Sequence, residues 1–145
     1  MPNLKSAIAI RAGVSPWSVV LLFLLAACSV SLLVQNRVYE LRTYHCCDGK
    51  LDRLNANFRD FDIRILKRHG IESVGYWMPQ HPALAGNTLI FMLVHPSRAD
   101  ADKNWAEFSK DPEFLKLAAE SMKDGPVVKQ VESIYLDPTD FSPLK

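Results

Sequence analysis

Glu40, Arg42 and Tyr44, at alternate positions of one short segment, are the most chemically loaded pattern in this sequence. In an extended chain every second side chain shares a face, so a carboxylate, a guanidinium and a phenol would stand side by side. Partly buried, such a set polarises a bound ligand, and its groups titrate away from their usual ranges. Trp77 or Tyr76, and Glu132 or Ser133, are candidates to join it from other strands. The plainer reading is a Glu–Arg pair that satisfies itself and fixes strand register. Glu40, Arg42, Tyr44, Trp77 and Glu132 are thus a candidate pocket, and no catalytic residue is assigned.

The other reactive side chains say less. His45, Cys46 and Cys47 are adjacent, whereas metal ligands need spacing that lets them converge, as in C-x-x-C. A vicinal disulfide or an inert thiol pair is expected, and no metal site. His69 suits the negative end of a helix. His81 and His95 stand beside prolines, in loop positions with no visible partner. Trp105 and Phe108 have the spacing of core anchors on a helix. Phosphate loops, dinucleotide-binding glycines, nucleophile elbows and HExxH are all missing, so no cofactor is expected.

Four strands and two helical regions must position these residues. Residues 38–44 alternate and are rich in β-formers. Leu51, Leu54, Phe58, Phe61 and Ile65 recur at helical spacing, and Gly70 closes that helix at its C-cap. Residues 71–78 read as a strand, 80–87 as a loop, and 88–94 as a strand stopped by Pro96. Ser97 with Asp100 resembles a capping box. Asp111, Pro112 and Glu113 start a further helix, which Gly125 and Pro126 end. Residues 127–136 form the last strand. The order β-α-β-β-α-β predicts an α+β, ferredoxin-like domain, with helices on one face of a four-stranded antiparallel sheet.

Composition bounds the rest. In 145 residues, 17 are Lys or Arg and 16 are Asp or Glu, so nothing in the charge balance calls for nucleic acid. The charge is uneven: no acid precedes Glu40, and residues 12–36 carry no charged side chain. Basic residues followed by a long apolar run have the layout of an export signal. We divide the chain into residues 1–36, a signal peptide or membrane anchor, and residues 37–145, the folded domain. Leu25, Ala26, Ala27 and Cys28 resemble the bacterial lipobox, which implies cleavage before Cys28 and a lipid on its thiol. Ser29 then resembles the outer-membrane type. An uncleaved helix over residues 17–34 is the rival; at about 1.5 Å per residue it spans roughly 27 Å, against about 30 Å for the hydrocarbon core. A mitochondrial presequence is the third reading. An exported, periplasmic or membrane-anchored bacterial protein is expected.

The third strand is apolar on both sides, with Leu89, Phe91 and Leu93 on one and Ile90, Met92 and Val94 on the other. Helices cover one face only. Leaving three such side chains wet forgoes about 1.5–3 kcal/mol each. A second copy packed sheet to sheet would cover them, and so would a loop or tail of the same chain.

The segments VYELRTY (38–44), GKL (49–51), HGI (69–71) and VGYW (74–77) resemble the NIPSNAP family in order and spacing. So do NTLI (87–90), Trp105 and Phe108 ahead of DPE (111–113), VES (131–133) and PTDFSP (138–143). The resemblance runs over residues 37–145 and implies a dimeric α/β barrel, formed by two sheets closing face to face around a pocket for a small apolar ligand. Glu40, Arg42 and Tyr44 would then point into the barrel. Eukaryotic relatives act as binding proteins, bacterial ones lack an assigned role, and neighbouring families include small monooxygenases, cofactor-free or haem-related. A homodimeric binding module held at the membrane is the expectation, with a small monooxygenase or isomerase as the alternative. Cys46 and Cys47 depart from the family's usual aliphatic or basic residue followed by Pro.

Overall fold

In the computed structural model, which describes residues 37–145, the alternating segment after Arg37 is strand β1, Val38–Cys46. The helical stretch that follows comes in three parts: α1, Leu51–Asn57; a π-helical turn, Phe58–Asp62; and α2, Ile63–Arg68. Strand β2 is Glu72–Trp77, and the expected loop beyond it contains one helical turn, α3, Pro82–Ala85. His81 caps that turn by accepting from the Ala83 N–H, and Pro82 fits its first position because no N–H is needed there. Strand β3, Thr88–His95, then helix α4, Arg98–Phe108, helix α5, Pro112–Ser121, and strand β4, Val128–Leu136, complete the order.

The caps read from sequence are in place. Ser97 Oγ accepts from the Asp100 N–H at 3.1 Å, and Asp111 Oδ1 accepts from Glu113 and Phe114 at 2.9 and 3.1 Å. Gly70 has φ +72°, the left-handed conformation that ends α2.

The strands form one four-stranded sheet in the order β2-β3-β1-β4, every pair antiparallel. This is the ferredoxin-like arrangement, with the first and third strands central. Register assigns the faces. Glu40, Arg42 and Tyr44 lie opposite Leu93, Phe91 and Leu89 of β3. That β3 set is the fully buried one, packed with Leu54, Phe58 and Ile65 of the helices. The trio therefore faces the helices, and Tyr39, Leu41 and Thr43 take the other face. This reverses the sequence expectation. Alternation divides a strand into two sets but does not say which set the helices cover.

The π turn adds one residue to the first helical stretch: the Ile63 N–H reaches back five positions to the Phe58 carbonyl. The apolar stripe is rephased there. Leu51, Leu54 and Phe58 are buried before the insertion, and the neighbours Ile65 and Leu66 after it. Among the described residues, no helix is long and apolar enough to cross a membrane. Cys28 and the rest of residues 1–36, on which the export reading falls, lie outside the described residues.

Candidate functional site

Glu40 has no solvent contact. A bare carboxylate there would forfeit its hydration, and donors from four elements replace the lost water. Arg42 Nη1 on β1 and Ser133 Oγ on β4 donate to Oε1 at 2.6 and 2.7 Å. Trp105 Nε1 on α4 and His95 Nε2 on β3 donate to Oε2 at 2.7 and 3.0 Å. Burial alone pushes this carboxyl up, but the bonds from His95, Ser133 and Trp105, with the Arg42 charge, outweigh it and hold the group at about 2. With two donors on each oxygen, Glu40 has no lone pair to offer a substrate. It is an anchor between helix and sheet.

Sequence reasoning missed two of these four donors, His95 and Trp105, and offered a third, Ser133, as one of two alternatives. His95 is the last residue of β3, fully buried, and not a loop residue without a partner. Trp105 is a core anchor as expected, but its indole N–H also carries a bond. Ser133 was noted only as an alternative to Glu132. Register supplies the missing signal, since Arg42 pairs with Ser133 and places it beside Glu40.

Arg42 links this anchor to a cavity. Its guanidinium lies 4.3 Å from the Trp105 ring centroid, and Nη2 donates to Tyr44 Oη at 3.3 Å. Tyr44 lines a cavity of ≈ 250 Å³ between the helices and the sheet. Its walls are mainly apolar and rich in aromatic rings: Phe58, Phe61, Phe91, Trp105, Phe108 and Phe114. The polar groups around it are Tyr44, Asn57, Asp62 and Ser121. Asn57 Nδ2 donates to Ser121 Oγ at 2.9 Å, which ties α1 to α5.

Asp62 is the group no sequence pattern pointed to. The π turn brings Phe61 and Asp62, neighbours in sequence, to the same cavity. Burial pushes the Asp62 carboxyl up to about 6, and among the described residues no donor compensates it. Its charge helps raise both Tyr44 and Tyr76, whose main upward push is their own burial.

Trp77 and Glu132 belong elsewhere. Trp77 is half exposed at the edge strand, its ring folded over Gly75, where a Cβ would meet it at 2.8 Å. Glu132 lies opposite Thr43 on the face away from the helices and pairs with His45 Nε2 at 3.3 Å. The five candidate residues thus do not line one pocket. Glu40, Arg42 and Tyr44 are together, and the other two are on the far side of the sheet. Cys46 is buried in the core as a free thiol, which burial pushes up, and Cys47 is also free. His69 accompanies Arg68 on Asp111, at 2.7 Å each, where α2 meets the start of α5. Among the described residues, no three His, Cys, Asp or Glu side chains converge as metal ligands.

Comparison with known proteins agrees with this architecture. The NIPSNAP family pattern matches residues 39–143. A NIPSNAP family protein of unknown function from Agrobacterium tumefaciens is 26% identical, with a TM-score of 0.66, over 77% of this chain and 96% of that one. A NIPSNAP domain protein from Burkholderia xenovorans is 20% identical, with a TM-score of 0.63, over 73% of this chain and 98% of its own. A putative antibiotic biosynthesis monooxygenase from Bacteroides thetaiotaomicron shares the fold at 17% identity and a TM-score of 0.52, over 76% and 94%. No curated protein matches.

Proposed function

The chain belongs to the NIPSNAP family, and on that footing we propose that it is a homodimeric small-molecule-binding domain whose ligand sits between the helices and the sheet. The observation that carries this is the aromatic-walled cavity of ≈ 250 Å³ with Tyr44 and Asp62 among its few polar groups. Pockets for drug-sized ligands measure roughly 300–1,000 Å³, so this smaller cavity suits one or two fused rings bearing one polar group. Aromatic walls reward a flat apolar body, and Tyr44 with Asp62 selects a hydroxyl or carbonyl.

Binding of 2-naphthol and of naphthalene, followed by tryptophan fluorescence, tests the reading. The alcohol should bind about three- to tenfold tighter, the factor that one net hydrogen bond supplies. Leu117→Trp, which fills the cavity, should abolish both. Equal affinities, or binding indifferent to Leu117→Trp, would contradict the proposal.

Dimerisation through the free face of the sheet belongs to the same proposal. Ile134 and Trp77, exposed at 55% and 50%, support it together with the half-buried Ile90, Met92 and Val94. Export by residues 1–36 rests on the charge asymmetry and the apolar run, and a lipid on Cys28 on the lipobox-like Leu25, Ala26, Ala27 and Cys28. The mass of the mature N-terminus tests it: a chain that retains residues 1–27 would overturn the lipidation.

A further inference from the structure

A cavity that only bound an apolar body would have no use for both a carboxyl, Asp62, and a polarised phenol, Tyr44, in its lining. We propose that Asp62 and Tyr44 make this cavity a tautomerising site for a cyclic or aryl ketone, with Asp62 taking a proton from the carbon beside the carbonyl and Tyr44 hydrogen-bonding the carbonyl oxygen. The proposal rests on the small-molecule reading above and adds a reaction to it.

Three observations carry it. Tyr44 Oη already accepts from Arg42 Nη2, so the phenol's own hydrogen is free, among the described residues, to be donated to a ligand. Burial raises the phenol further above its usual range, so it stays protonated and acts as a donor. Asp62 lines the same cavity without a described donor of its own. A carboxylate in that setting is a stronger base than one in water, and a base that titrates near the working pH combines availability with strength. Glu40, held by four donors, illustrates the opposite environment within the same chain. Two carboxyls pushed in opposite directions divide the roles of anchor and base.

The step balances without a co-reactant. The C–H bond beside the carbonyl breaks and its proton forms an O–H bond on Asp62. The electron pair moves into a C=C bond while the carbonyl π pair goes to oxygen, where Tyr44 O–H stabilises the developing enolate. Return of the proton, to the same carbon or to a conjugated one, regenerates the carboxylate and gives exchanged or isomerised ketone.

The groups around Asp62 set its pH response. Tyr44 from β1 and Tyr76 from β2 respond to its charge. The Arg42 guanidinium beyond Tyr44 is engaged by Glu40 at 2.6 Å. On the cavity side α4 contributes Trp105 and Phe108, and α5 contributes Phe114, Leu117, Ala118 and Ser121, none of which titrates in the working range. On its own turn, Arg59 and Asp60 are exposed.

The test uses the full-length chain in mild detergent, with 2-tetralone as probe and a detergent-only blank. Deuterium uptake at the activated carbon is followed by NMR in heavy water, and binding is followed in parallel by fluorescence. The wild type should accelerate exchange at least about 100-fold over the blank, the low end of what a positioned base supplies. The rate should rise with pH and level off above about 6. Asp62→Asn should lose the acceleration while still binding 2-tetralone within about tenfold of the wild type, since one net hydrogen bond at most is altered. Tyr44→Phe should lose part of it. The wild-type pH profile stands by itself should a variant fold poorly. Binding without accelerated exchange, or exchange unchanged in Asp62→Asn, overturns this proposal and leaves the binding reading standing. Failure of the wild type to bind 2-tetralone overturns both.

Discussion

The indole N–H of Trp105 donates to Glu40 Oε2 at 2.7 Å, joining α4 to the central strand of the sheet through a fully buried carboxylate. Because three further donors converge on the same group, its removal strands a cluster of polar atoms. Glu40→Ala leaves the Arg42 guanidinium buried without its counter-charge and should cost about 3–5 kcal/mol of stability. Trp105→Phe keeps the ring and loses one bond, at about 1–3 kcal/mol. Urea unfolding of the two variants checks the order.

Glu40 also sets an acid limb. Its carboxyl falls from 4.5 to about 2 on folding, so the folded state binds this proton less tightly than the unfolded chain does. The resulting stability is complete above 4.5 and is lost as pH falls through about 2. Thermal melts of Glu40→Gln should lack this part of the acid transition. An unchanged acid limb would mean that Glu40 is not held as described.

Asp62 behaves with the opposite sign. Its folded value, about 6, is above its ordinary 3.8, so the folded state takes the proton more readily. The penalty is absent below 3.8, grows as pH rises between the two values, and is complete above about 6. Asp62→Asn should therefore stabilise the domain at pH 7 by on the order of 1 kcal/mol, discounted for the water that still reaches the group, and raise Tm by a few degrees. At pH 3 it should change nothing. A gain in stability with a loss of exchange activity is the pattern of a group kept for function.

The free face of the sheet carries its own prediction. Ile134 lies opposite Leu41 and is 55% exposed. Ile134→Glu places a charge where a second sheet would pack, and light scattering on residues 37–145 should show the wild type as a dimer and the variant as a monomer. A wild type monomeric at micromolar concentration would contradict the dimer.

Much of the fold was legible because local chemistry and global topology agree. Asp111, Ser97 and Gly70 each signal a helix end by a local mechanism, and each holds its place. The strand order follows from β-α-β-β-α-β and the short connections. The facing of β1 was not legible, because Tyr39, Leu41 and Thr43 look more core-like than Glu40, Arg42 and Tyr44. What reverses that preference is Trp105, His95 and Ser133, all distant in sequence and brought to Glu40 only by tertiary register. Asp62 was invisible for another reason. It stands four residues after Phe58 and three before Ile65, on the apolar stripe, but a lone acid there reads as part of the helix's solvated flank. The candidate site thus kept Tyr44, with Arg42 behind it, lost Trp77 and Glu132 to the other face, and gained Asp62.

Where the ligand sits is the central question, and isotope-filtered NOEs between 2-naphthol and the methyl groups of the labelled domain answer it directly. The predicted contacts are to Leu54, Leu66, Leu117 and Val127, which wall the cavity beneath the helices. Contacts instead to Leu41, Met92 and Ile134, across the far face of the sheet, would contradict the account.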